Sequence, residues 1–206
     1  MLSNLGNLLL FFNTFLSALI IYLSLQSIKS SNGIISSKII KISLIQTSSI
    51  MCCFFTLVAA FFTSDFSIAN VYQNSHSAKP IFYKIAGTWG SHEGSLMLWI
   101  IILSIFSFLF LIKNKKHPKN YRLYTLIFQN IIILGFLFFI LFNSNPFAVI
   151  SPVPKEGLGL NPILQDPALV IHPPLLYIGF VGSSIYFSAA MASLVTNYSE
   201  KLFALS

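Results

Sequence analysis

Charged residues are scarce in this chain of 206 residues. Lys and Arg number 12, Asp and Glu number 5, and together they make up 8% of the sequence. Soluble domains carry about 25% charged residues. Hydrophobic residues make up 55% of the chain, so its polar residues are too few to cover a surface in water. The composition excludes an ordinary soluble domain and predicts an all-α, polytopic membrane bundle that forms one transmembrane domain over residues 1–206.

Cysteine is almost absent as well. The two cysteines, Cys52 and Cys53, are adjacent within an apolar run. Neighbouring side chains of a helix point about 100° apart, and this geometry does not favour a disulfide between them. The sequence contains no CxxC pattern, so it indicates neither a zinc site nor a thiol-redox site.

Long apolar runs dominate the rest of the sequence, and each is close to the roughly twenty residues that a helix needs to cross a bilayer. The predicted spans cover residues 5–28, 42–63, 95–112, 123–143 and 175–196. No charged residue precedes Lys29, so the first run lacks the basic start of a signal peptide and is expected to remain as an uncleaved helix.

The basic residues are unevenly distributed among the loops. Five of them lie within residues 113–122, and three more lie in the first loop, whereas the few lysines of residues 64–94 and 144–174 are accompanied by acidic residues. Because basic loops stay inside, residues 64–94 and 144–174 and the N-terminus are predicted to lie outside, and the C-terminal tail inside. The basic residues behind the net charge of +7 therefore set orientation in membrane lipid through their positions in the loops, and they do not indicate a nucleic-acid partner.

The second loop ends in the run WGSHEGS at residues 89–95. One interpretation is an interfacial Trp89 followed by a glycine turn, which membrane boundaries favour. The other is that His92 and Glu93 mark a site, because ionisable groups at membrane depth are costly. The residues alone leave both interpretations open.

The fourth loop contains Asp166, which can cap a helix, and Pro167, which suits the first helical position. That helical turn is expected to stop by His172, because the residue before a proline is disfavoured in the helical region. Pro173 and Pro174 would then open the fifth span and hold His172 in extended backbone. A neutral imidazole in such a place can ligate haem iron or another metal; the alternative is a histidine hydrogen-bonded within the loop.

Two runs resemble hallmarks of the CcmF family of cytochrome c biogenesis proteins. They are WGSHEGS at residues 89–95 and LNPILQDPALVIHPPLLY at residues 160–177. The resemblance extends from the second loop to the fifth span, and the first two spans match in character only. In that family the histidine of the His-Pro-Pro run ligates haem iron, so the resemblance implies this role for His172 and assigns no ligand role to His92. The residues expected to support the site are Pro173, Pro174, Trp89, His92 and Glu93.

The resemblance also implies a function. It predicts a subunit of a membrane haem lyase that binds haem b transiently and helps attach it to apocytochrome c at the outer face of an inner membrane. The expected partners are a CcmF-like chain carrying a tryptophan-rich segment, a haem chaperone, and apocytochrome c with its thiol-handling protein. The family's tryptophan-rich segment should follow the fifth span, but the sequence ends at Ser206 soon after that span. A split or truncated member of the family is therefore expected.

The location and three rival functions stay open at this stage. The residue usage suggests an AT-rich genome, which fits the mitochondrial inner membrane or the plasma membrane of a bacterium. The rivals are a haem transport or transfer subunit without ligation activity, a structural subunit of a respiratory membrane complex, and an inactive remnant. Formation of a thioether product separates ligation from transfer, and exchange of His172 separates haem binding from a structural role.

Overall fold

The computed structural model describes residues 1–30, 33–159 and 166–198. Within these ranges the chain forms helices, no strand, and one isolated antiparallel bridge between Ile68 and Val149. The helices are α1 Leu2–Lys29, α2 Ser37–Phe62, α3 Ala69–Asn74, α4 Ile81–Gly90, α5 His92–Lys113, α6 Lys119–Asn143, α7 Pro167–Gly182 and α8 Ser184–Thr196.

In the part of the chain that the structure describes, five segments are long and apolar enough to cross a membrane. They are the helices α1, α2, α5 and α6, and the α7–α8 segment over Val170–Thr196. The prediction of an all-α bundle with five spans is therefore confirmed. The helices extend beyond several predicted runs, since helical backbone continues to a cap: α2 begins after Ser36, whose hydroxyl accepts a bond from the Lys38 amide at 3.3 Å.

The prediction of extended backbone at His172 is wrong. Helix α7 starts at Pro167, as predicted, and Asp166 Oδ1 accepts the Ala168 amide at 2.8 Å. The helix then continues through His172, Pro173 and Pro174 to Gly182. The steric bias of a residue before proline is a preference, and here docking of α7 against α4 and α5 outweighs it.

The core is built where α2 and α5 pack between α1, α6 and the connecting loops. Leu57, Phe61 and Ile100 are fully buried in it. Phe147, from the segment after α6, is also fully buried and lies directly against Gly6 of α1, where an added Cβ would overlap its ring. A glycine at residue 6 thus allows the segment after α6 to dock on the end of α1.

Polar side chains bridge the helices within the bundle. Gln46 of α2 donates to Ser17 of α1 at 2.6 Å and to Asn130 of α6 at 3.0 Å. Gln129 of α6 donates to Ser184 at 2.9 Å and accepts from Ser188 at 2.7 Å. Such pairs join transmembrane helices, because an unpaired amide in hydrocarbon is unfavourable. The sequence reasoning did not identify this layer, which ties α1, α2, α6 and α8 together.

Candidate functional site

The WGSHEGS run forms a tight junction between α4 and α5. Ser91 caps α5, with its hydroxyl oxygen accepting the Gly94 amide at 3.0 Å. The same hydroxyl donates to the carbonyl of Thr88 at 3.2 Å. A Cβ on Gly94 would overlap that carbonyl, so a side chain at this position is excluded by the close approach of the two helices.

Trp89 connects this junction to α7. Its indole nitrogen donates to the carbonyl of Val170 at 2.8 Å, and its own carbonyl accepts the Ser95 hydroxyl at 2.7 Å. In a regular helix the Val170 carbonyl would accept the amide of residue 174, but that residue is Pro174 and has no N–H. The Trp89 indole therefore supplies the donor that the proline removes. This bond joins the two runs on which the family resemblance rests.

One face of α7 packs against the bundle. Val170 and Val181 are buried, and Tyr177 between them is half-buried. The ring of Trp99 in α5 meets those of Tyr177 and Phe180 edge-on, with centroids 5.6 and 6.1 Å apart. This aromatic contact and the Trp89 bond hold α7 in a defined rotation about its axis.

His172 lies on the opposite face of α7. It shares that face with Leu175, Leu176 and Gly179, at the i, i+3, i+4 and i+7 spacing of one helical stripe. All four residues are exposed, and within the described residues the imidazole makes no hydrogen bond. The structure thus presents a single imidazole on an apolar, uncovered helix face. This arrangement fits an iron porphyrin, to which the imidazole can supply an axial ligand and the leucines an apolar contact.

His92 and Glu93 lie in the first turn of α5, beside the junction. His92 is exposed and Glu93 is half-buried. A carboxylate in the first turn is favoured by the helix dipole, which gives Glu93 a local role in starting α5. Among the described residues no group of three His, Cys, Asp or Glu side chains could hold a metal ion. His92 and Glu93 follow Trp89 by three and four residues, at the start of α5.

A clamp of hydrogen bonds joins the second and fourth loops. The Glu156 carboxylate accepts bonds from the hydroxyl and the amide of Ser77 and from the Gly157 amide. These bonds, the Ser77 hydroxyl first, lower the pKa of Glu156 from 4.5 to about 2. His76 lies 3.9 Å from the same carboxylate. No spacing in the sequence signals this clamp, because its partners are 79 residues apart.

Backbone bonds continue the clamp along the fourth loop. The Leu158 amide donates to the Tyr72 carbonyl at 2.8 Å and the Gly159 amide to the Ser75 carbonyl at 3.0 Å. The first six residues of the second motif run, residues 160–165, lie outside the described residues.

Comparisons with known proteins match the chain to cytochrome c biogenesis proteins. The family model described as "Cytochrome C assembly protein" matches residues 89–205. The chain is 51% identical over 142 residues to the cytochrome c-type biogenesis protein CycK of Rhizobium meliloti, covering 69% of this chain and 21% of CycK. It is 44% identical over 152 residues to the cytochrome c-type biogenesis protein CcmF of Escherichia coli, covering 73% of this chain and 24% of CcmF.

A solved structure has the same fold. The cytochrome c haem lyase CcmF superposes with a TM-score of 0.78 over 96% of this chain and 31% of that protein, at 21% sequence identity. The chain thus spans less than a third of this structure and about a quarter or less of the two relatives.

Proposed function

Because the chain belongs to the cytochrome c assembly protein family, we propose that it works in cytochrome c maturation as a non-autonomous subunit of a membrane haem lyase. The observation that carries the proposal is the placement of His172. Its imidazole is exposed on the uncovered face of α7, while the other face is held to the α4–α5 junction by the Trp89–Val170 bond. A ligand on a helix fixed in this way keeps its direction.

The proposed substrate is haem b, held transiently with His172 as one axial ligand to iron. Leu175 and Leu176 on the same face would contact the porphyrin. Pro173 and Pro174 have no amide N–H, so they donate no hydrogen bond to the helix carbonyls one turn before them. Trp89 acts through α7, as a positioning residue. His92 and Glu93 support the site by starting α5 at the junction that Trp89 closes.

The proposed reaction is the addition of two cysteine thiols of apocytochrome c to the two vinyl groups of haem. In each addition the thiol S–H bond and the π bond of the vinyl group break, a carbon–sulfur bond forms at one vinyl carbon, and the proton lost by the thiol is balanced by one added to the other carbon. No net oxidation or reduction occurs. The haem supplies the reactive carbons, and this chain contributes binding and orientation, which convert an encounter into a nearly unimolecular step.

The proposed setting is the outer face of an inner membrane, bacterial or mitochondrial. The partners that complete the reaction are a CcmF-like chain with a tryptophan-rich segment and the opposite haem ligand, a haem chaperone, and apocytochrome c with its thiol-handling protein. The relatives carry cytochrome c-type biogenesis in their names, which supports this assignment for the present chain.

The test is the absorption spectrum of the purified assembled complex. His172→Ala is expected to abolish or shift the haem bands and to stop thioether formation. His76→Ala is the matched control, because His76 is a histidine of the adjacent clamp and touches Glu156 instead of the α7 face. Free imidazole should return part of the haem to a His172→Gly variant. An unchanged spectrum and normal cytochrome c yield in His172→Ala would refute the proposal, and haem transfer without any thioether product would replace ligation by transport.

A further inference from the structure

A groove opens at the other end of the bundle, between α5, the start of α6 and α8. Its volume is about 350 Å³. The wall residues within the membrane-spanning part are apolar or aromatic: Phe106, Leu109, Phe110, Ile185, Tyr186 and Ala189. Leu109 and Tyr186 are exposed on the surface of the bundle, so the groove opens sideways between the helices.

The charged mouth of the groove lies at one end only. The residues that line this end are Lys113, Asn114 and His117. Lys113 lies seven positions after Phe106 in α5, a rise of about 10 Å along the helix. The groove therefore leads from apolar walls inside the span to a cation at its end.

His117, in the basic loop after α5, is only partly open to solvent. It is half-buried, its ring lies 5.5 Å from that of Tyr121, and its Nδ1 is 3.4 Å from the hydroxyl of Tyr198. The aromatic contacts hold one wall of the mouth in place. Lys113, in contrast, is exposed at the last turn of α5.

The charged side chains that the structure describes around the mouth are all basic. The sequence has no acidic residue between Glu93 and Glu156, a stretch that includes all of α6 and the whole basic loop. Among the described residues the carboxylates all lie at the opposite end of the bundle, at Asp65, Glu93, Glu156 and Asp166. An anion entering the mouth would meet cations and would not be repelled by a described carboxylate.

We propose that this groove is a binding site for an anionic phospholipid of the surrounding bilayer, with an acyl chain along the apolar walls and the phosphate at Lys113. The fit is one of shape and charge together. A groove that opens to lipid admits a chain from the side, and its basic end lies where the headgroup of that lipid would be. Basic pockets between transmembrane helices are suited to acidic headgroups for this reason.

The consequence is a specific contact that joins α5 to α8. Ala189 lies against Tyr121 in a small cluster at this end, and α8 is the continuation of α7. An occupied groove would fill the gap between α8 and α5 beside that cluster. The site is therefore distinct from the α7 face that carries His172.

Native mass spectrometry of the full chain tests the proposal. Phosphatidylglycerol and phosphatidylcholine of equal chain length are titrated separately, and the first binding constant of each is measured. Phosphatidylglycerol is expected to bind more tightly, and Lys113→Gln should weaken its first binding about fivefold, the effect of one lysine near a membrane surface. Tyr186→Ala removes an exposed wall and should also weaken binding without opening the core.

Two controls separate a built site from general attraction. Lys115→Gln removes the same charge from the same loop, but Lys115 does not line the groove, so it should leave the first binding constant unchanged. The soluble headgroup glycerophosphoglycerol should not compete at the same concentration, because it lacks the acyl chain. Equal effects of the Lys113 and Lys115 exchanges, or equal affinities for the two lipids, would overturn the proposal without touching the role of His172.

Discussion

The indole nitrogen of Trp89 lies 2.8 Å from the carbonyl oxygen of Val170 and donates a hydrogen bond to it. Val170 is buried, and Pro174 cannot provide the amide that would otherwise reach this carbonyl. Trp89 and Val170 are therefore coupled through Pro174. The proline leaves the buried Val170 carbonyl without its helical donor, and the Trp89 indole replaces that donor, which explains why α7 stays helical through His172.

This coupling predicts a thermodynamic cycle. Trp89→Phe should lower the free energy of unfolding by about 1 kcal/mol or more, because the Val170 carbonyl loses its donor. In a Pro174→Ala background the new amide of residue 174 can bond to that carbonyl, so the same exchange should cost less. Unfolding in sodium dodecyl sulfate, followed by circular dichroism, measures both values. Additive effects of the two exchanges would show that they do not share the carbonyl.

The α4–α5 junction predicts an intolerant glycine. Gly94→Ala should destabilise the chain by at least about 2 kcal/mol, because the new methyl group overlaps the Thr88 carbonyl and the helices must separate. Gly135→Ala in α6 is the matched control, since an added Cβ there meets nothing within 4 Å. Thermal unfolding of the two purified variants measures the difference. Equal stability of the two would contradict the close approach described here.

The clamp between the outer loops predicts protection from protease. Ser77→Ala removes the hydroxyl that donates to Glu156, so trypsin should cleave after the neighbouring Lys155 faster than in the parent chain. Ser67→Ala is the control, because its hydroxyl bonds to Asp65 in its own segment, at 2.5 Å. The rates are read from peptide mass spectra. Identical cleavage in all three chains would mean that the clamp does not restrain this loop.

The same clamp predicts an acid transition. The pKa of Glu156 is lowered from 4.5 to about 2 by its bonds to Ser77 and Gly157, so the stabilisation is complete above pH 4.5 and is lost as the pH falls through about 2. Hydrogen exchange of the Ser77 amide, corrected for its intrinsic rate, should therefore increase over this interval. In a Glu156→Gln variant, which has no carboxylate to protonate, the Ser77 amide should exchange rapidly at every pH in the interval. A parent chain whose exchange is flat down to pH 2 would contradict the lowered pKa.

The uneven distribution of basic residues predicts orientation. A membrane-impermeant maleimide added to the outer face should label Ser151→Cys and should miss Lys115→Cys, because the basic loop stays inside. Both positions are exposed, and both native cysteines lie within α2, away from the two loops. The reverse labelling pattern in intact cells or mitoplasts would invert the assigned topology.

The placement of His172 shows where a local rule reached its limit. The preference of a pre-proline residue predicted extended backbone, but α7 is helical there. Neither Pro173 nor Pro174 predicts that the imidazole of His172 is exposed. The exposure results from the packing of Val170, Tyr177 and Val181 against the bundle, which turns the opposite face of α7 away from it.

The buried polar layer could not be predicted for a related reason. Gln46 and Asn130 lie within predicted membrane spans, 84 positions apart, and only helix packing brings them within 3.0 Å. An amide side chain in a span predicts that a partner exists and does not identify it. The basic groove is similar, because its walls come from α5, α6 and α8 together.

The sequence by itself determined the helical class, the number of spans and the start of α7 at Pro167. These properties depend on the length of apolar runs relative to the bilayer and on capping residues close in the chain, which are local quantities. The tertiary structure decided that α7 continues past two prolines, that Trp89 meets Val170, and that His172 faces outwards. Each of these depends on a donor or a packing face from another helix, and no local spacing specifies which helix supplies it.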